Sequence, residues 1–173
     1  IGAVVKFEDA LQGPSAEHIL GTDTTGRDIF SRIIFAFRGA LTMGVGCLII
    51  VVPLGGILGL IAGYWNGKFI SNFIMRLADV FLALPALILV MCVSSIMEPN
   101  MTNAMLALSV SWWPWYTRLV YGIVVSTRNE TYIRSAEVLG AGRGHILLRE
   151  ILPNTLSPIL TKVTLDMGWA IMA

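Results

Sequence analysis

From Leu41 to Tyr64 the sequence runs without a single charged side chain. That stretch exceeds the roughly 20 residues a helix needs to cross a hydrocarbon core. It also lacks the strict alternation of a transmembrane β-strand. Inside a bilayer no water satisfies the backbone, so a continuous apolar run of this length folds as a helix. The rest of the chain agrees: 55% of its 173 residues are hydrophobic and only 13% are charged, against about 25% charged in soluble domains. The expected fold is therefore all-α, a polytopic bundle of membrane helices. A formal net charge of +1 gives no basis for a nucleic-acid partner. Cys47 and Cys92 lie within apolar runs and read as small core residues, not as a disulfide or a metal site. No cofactor is implied.

Residues 1–38 are mixed and polar, and form a first, extracytoplasmic segment. Gly21–Asp28 carries turn chemistry, and Asp23 or Thr24 is placed to cap a helix from about Thr25 to Phe37. Ile29, Phe30, Ile33, Ile34 and Phe37 recur at helical spacing, which predicts an amphipathic helix lying on the membrane. Residues 39–173 form the membrane domain. Its first span is Leu41–Tyr64, bent at Pro53, with Gly55, Gly59 and Gly63 forming a ridge that admits a close neighbour. The second runs from Phe69 to Met97 and is kinked at Pro85, and the third from Ala104 to Val125. A further span starts near Leu156 and is incomplete at Ala173, so the chain reads as a fragment with about three complete spans and part of a fourth. Lys68 and the Arg-rich stretch after span three mark the cytoplasmic side, and the connection Glu98–Asn103, without Lys or Arg, the outer side.

The longest water-exposed stretch of the second half is the cytoplasmic loop at about 128–157. Tyr132, Ile133, Ala136 and Leu139 make one apolar stripe at helical spacing. Gly140, Gly142 and Gly144 interrupt any helix. Ile146, Leu147, Leu148, Ile151 and Leu152 make a second stripe, and Pro153 is expected to end it. Apolar faces outside the membrane call for a protein partner.

Ser135-Ala136-Glu137-Val138-Leu139-Gly140, closed by Ile151-Leu152-Pro153, resembles the EAA loop of ABC importer permeases, which makes these residues with Arg134 and Gly142 the expected ATPase coupling loop. Arg134 and Ser135 stand where that pattern carries Glu and Ala. Leu20-Gly21-Thr22-Asp23, Gly26-Arg27-Asp28 and Ser31-Arg32 resemble the signature of dipeptide, oligopeptide and nickel importer permeases. So do Trp113-Pro114 with Tyr116-Thr117-Arg118, and Leu165-Asp166 with Gly168-Trp169-Ala170. The resemblance implies a permease subunit, multi-pass in the inner or plasma membrane, paired with a second homologous permease. It also implies two ATP-binding cassette ATPase subunits docked on the cytoplasmic loops, an extracytoplasmic substrate-binding protein, and a di- or oligopeptide or related small solute as cargo.

Ionisable residues inside spans are expensive and often functional. Arg76 with Asp79, and Lys162 with Asp166, read as snorkelling or structural pairs near the cytoplasmic ends. Asp166 is the deepest and, with Trp112 and Tyr116, makes the candidate pathway set. No Gly-x-x-x-x-Gly-Lys-Ser/Thr loop is present, so ATP chemistry belongs to a partner and the chain is a transport subunit rather than an enzyme. Two rivals remain. A secondary transporter would be driven by an ion gradient without an ATPase, and a membrane scaffold would leave ATP-driven uptake intact when residues 132–152 are disrupted.

Overall fold

A computed structural model describes residues 7–172, with side chains as far as Trp169. The helices are α1 (Ile29–Tyr64), α2 (Phe69–Ala83), α3 (Ala86–Ile96), α4 (Met101–Arg128), α5 (Thr131–Val138), α6 (Arg143–His145) and α7 (Leu152–Met172). A π-helical turn, Ile146–Ile151, links α6 to α7. The chain divides into two compact units, the boundary falling between Thr42 and Met43.

In the first unit, Gly21–Asp28 folds around one carboxylate. Asp23 Oδ1 accepts from the Thr25 N–H at 2.8 Å, the Thr25 hydroxyl at 2.6 Å and the Arg27 N–H at 3.0 Å. Its Oδ2 accepts from Arg27 Nε at 3.2 Å and from Arg32. The Thr25 hydroxyl first, then the Arg27 amide, hold this carboxyl far below the usual range. Asp28 is the true N-cap: its Oδ2 accepts from the Ser31 N–H at 2.8 Å. The helix expected from Thr25 therefore begins at Ile29, because Asp23 is committed to the turn. Nor does a separate surface helix precede the first span. α1 runs unbroken past Arg38, since the lone Gly39 costs a helix only about 1 kcal/mol.

In the second unit α4 is the hub: α2, α3, α5, the π-turn and α7 all pack on it. The glycine ridge of α1 does too. A Cβ built on Gly55 would lie 2.6 Å from Tyr116 Cβ, on Gly59 2.7 Å from Val120 Cβ, and on Gly63 2.6 Å from Val124 Cβ. Only a hydrogen fits at these crossings, so the ridge packs within this chain. Positions 55, 59 and 63 meet 116, 120 and 124 in rising order, so α1 and α4 run parallel. Cys47, fully buried, places its Sγ 3.6 Å from Ser109 Oγ in the same interface. Cys92, expected in the core, is instead exposed on α3.

Parallel packing of α1 and α4 requires the chain between them to return, and α2 with α3 does this. The expected kink at Pro85 is a full break: the two helices meet at 91°. Leu84 is extended, φ −89° and ψ 135°, because the proline ring excludes the helical region from the residue before it. By length and apolarity α1 qualifies as a membrane span and the α2–α3 pair as a broken span or a re-entrant loop. α4 and α7 have 28 and 21 residues, about 42 and 32 Å at 1.5 Å per residue, with a more polar composition.

Pro153 does not end the second helix of the loop. It lies in the first turn of α7, and the chain is helical from Arg143 to Met172. The preceding turn is widened: the Leu152 N–H donates to the Leu147 carbonyl, an i→i+5 bond. This π-turn takes up the position where the proline ring and its missing donor would disrupt a regular α-helix.

Candidate functional site

The loop between α4 and α7 is a built structure. α5 ends in a Schellman motif, in which the Gly140 N–H donates to the Glu137 carbonyl and the Ala141 N–H to the Ala136 carbonyl, each at 3.0 Å. Gly140 carries φ +85°, which favours glycine. Gly142 is the N-cap of α6, and Gly144 lies inside it. Of the three glycines expected to interrupt the helix, Gly140 alone requires its residue type by conformation. Gly140→Ala should destabilise the loop by about 1–2 kcal/mol, whereas Gly144→Ala, with nothing within 4 Å of a new Cβ, should leave it unchanged or firmer. Hydrogen exchange of amides 131–151 distinguishes the two.

Ile133, Ile146 and Ile151 are buried and fasten the loop to the unit. Asn154 Nδ2 adds a bond of 2.8 Å to the Tyr132 hydroxyl. Ala136 and Leu152 are half-buried, while Arg134, Ser135, Glu137, Gly140, Gly142 and Pro153 are exposed. Arg134 makes no ion pair among the described residues. Glu137 borders a cavity of about 290 Å³ with Lys68, Arg128 and Arg143. Leu139, expected to share an inward stripe with Ile133, points outward: helix geometry stops at Val138, and Leu139 is the C-cap. Val138 and Leu139 are each 87% exposed, an apolar tip on an anchored stub. The missed signal is the Leu-Gly step, which ends the helix one residue before the stripe is complete.

The candidate pathway residues converge midway along α4. Lys162 Nζ lies 2.7 Å from Asp166 Oδ1 and 5.7 Å from the centre of the Tyr116 ring. Asp166 is 8% exposed. The pair therefore sits beside the middle of α4, deeper than the end position expected for it. Trp112 and Asp166 line a cavity of about 690 Å³ bounded by α3, α4 and α7, together with Trp115, Lys162 and Trp169. Tyr116 is buried behind it, with its Cβ at the Gly55 crossing and its hydroxyl unpaired among the described residues. Trp113 packs edge-on to Phe81, centroids 5.4 Å apart. The aromatic cluster thus divides: Trp113 and Tyr116 pack, while Trp112 and Trp115 face the cavity.

One expected pairing is replaced. Asp79 joins Arg118 of α4 rather than Arg76. The ion pair lies where α2 packs on α4, and Arg76 is exposed without an ion-pair partner among the described residues.

Residues 55–173 match the family described as binding-protein-dependent transport system inner membrane component. The chain is 42% identical over 162 residues to the dipeptide transport system permease protein of Alkalihalophilus pseudofirmus, covering 94% of this chain and 53% of that one. It is 38% identical to the glutathione transport system permease protein of Pectobacterium atrosepticum, covering 96% of this chain and 55% of that one. It is 35% identical to the nickel transport system permease protein of Escherichia coli K12, covering 95% of this chain and 59% of that one. The chain spans about half the length of the curated relatives it matches.

Proposed function

The chain belongs to the family of inner membrane components of binding-protein-dependent transport systems, and from that premise we propose that it is a multi-pass permease subunit of an ATP-driven importer. Its cargo is a di- or oligopeptide or a related small solute. A second permease completes the pathway, two ATPase subunits dock on the cytoplasmic loops, and an extracytoplasmic binding protein delivers the solute. α1, the α2–α3 pair, α4 and α7 are the membrane-crossing elements of this reading.

One observation carries it: α5 offers an apolar tip to solvent and packs on the π-turn, through which α6 runs without a break into α7. When ATP draws two ATPases together, a stub seated in a groove on each is carried along, and α7, joined to α6 by unbroken helix, transmits the displacement. α7 holds Lys162 and Asp166 fourteen residues at most beyond Leu152, roughly 21 Å along the helix. Movement at the stub therefore reaches the cavity shared with Trp112, the proposed pathway wall. Arg134, Ser135, Ala136, Glu137, Gly140 and Gly142 are the proposed docking face, with Ile151, Leu152 and Pro153 as its base.

The test is solute uptake into proteoliposomes holding the whole complex. ATP-dependent uptake that vanishes without the ATPase supports the proposal. Uptake driven by a proton gradient in the absence of the ATPase sinks it.

A further inference from the structure

The exposed side of α2 carries two adjacent stripes of different chemistry. Phe69, Phe73, Leu77 and Val80 form one, all exposed and suited to lipid. Asn72, Arg76 and Asp79 form the other, at i, i+4 and i+7, so they stand in one line along the helix. Asn72 and Arg76 are exposed, and Asp79 is 44% exposed in its ion pair with Arg118, itself 50% exposed. Arg118 precedes Arg128 by 10 residues, about 15 Å of helix, which places the pair well inside the apolar part of α4.

Charged side chains at that depth avoid lipid and mark water-filled or protein-covered surfaces. The stripe carries two guanidinium groups and one carboxylate, and Arg76 has no acid within 4 Å among the described residues. A second copy packed on the same patch by two-fold symmetry would oppose like charges. A surface with surplus cation, half-open to solvent, instead suits a dissolved anion.

We propose that Asn72, Arg76 and Asp79 of α2, with Arg118 of α4, face the transport path and receive the carboxylate of an anionic or zwitterionic solute. The incoming carboxylate exchanges with Asp79 at the Arg118 guanidinium and is held by Arg76, and Asp79 returns when the solute leaves. This rests on the reading of the chain as a pathway subunit, and it assigns the polar stripe of α2 to that pathway.

The test uses the assembled complex in membranes, with the exposed Cys92 changed to Ser. Asn72→Cys is compared with Phe73→Cys and Leu77→Cys for reaction with two membrane-impermeant methanethiosulfonates. One carries a sulfonate and the other a trimethylammonium group, and each rate is normalised to the reagent's rate with free thiol. The sulfonate should modify position 72 at least about tenfold faster than positions 73 and 77, and about tenfold faster than the cationic reagent does at 72. Arg76→Gln in the same background should remove the charge preference while leaving position 72 accessible. No modification at 72, or modification as slow as at a lipid-covered position 73, would mean that lipid or another subunit covers the stripe and would overturn the proposal. Modification at 72 without charge preference would overturn the carboxylate assignment. Labelling needs no ATP turnover, so it is read independently of whether uptake is ATP-driven.

Discussion

Gly59→Leu should separate α1 from α4 and unfold the second unit at a markedly lower temperature. A single carbon there already lies 2.7 Å from both the Thr117 carbonyl oxygen and Val120 Cβ. Backbone cannot yield as a flexible side-chain end does, so the helices must move apart along the whole ridge. Overpacking typically costs about 1–3 kcal/mol, and the opening of the neighbouring crossings at Gly55 and Gly63 adds to it. We expect the midpoint to fall by at least about 5 °C, with Gly59→Ala intermediate. Gly56→Ala is the control within the same helix. A Cβ at Gly56 meets nothing within 4 Å, so this change should be neutral or stabilise the helix by up to about 1 kcal/mol. Thermal unfolding followed by circular dichroism checks all three. An unchanged midpoint for Gly59→Leu would remove the parallel α1–α4 packing from which the topology follows.

The second large effect concerns the tip of the stub. The double substitution Val138→Asp, Leu139→Asp should weaken association with the ATPase about a hundredfold, taking roughly tenfold for each apolar side chain withdrawn from the interface. Both side chains are 87% exposed, so neither change disturbs the packing of Ile133, Ile146 and Ile151. The unfolding midpoint of the chain should therefore stay where it is while ATP-driven uptake is abolished. Titration of the ATPase against the purified permease measures the first effect, and proteoliposome uptake the second.

These two cases also mark what is legible in the sequence. The glycines at 55, 59 and 63 announce a close neighbour because their spacing is a property of one helix. Which neighbour they meet is a tertiary matter, and no local pattern points to α4. The turn at Gly21–Asp28 is visible in its residue types, although Asp28 rather than Asp23 caps α1. Asp23 has more donors around it than a cap requires, which a linear reading does not weigh. Helical spacing favours Arg76 as the partner of Asp79 because it is three residues away; Arg118, 39 residues distant, comes closer once α2 lies on α4. Pro153 reads as a stop because the rule concerns α-helices. The π-turn that lets the helix continue depends on a shift of hydrogen bonding from i+4 to i+5, and side-chain pattern does not encode that. The continuity it creates turns the loop from a connector into a lever joined to α7.

Crosslinking tests that lever most directly. Leu139→Cys, in the Cys92→Ser background and in a complex that still hydrolyses ATP, carries a thiol-directed photoactivatable crosslinker at the tip of the stub. A covalent adduct with the ATPase subunit, absent when the same probe sits at Phe73→Cys, is the predicted result. An active complex that gives no ATPase adduct from position 139 would contradict the docking of the stub, and with it the proposed route from ATP to α7.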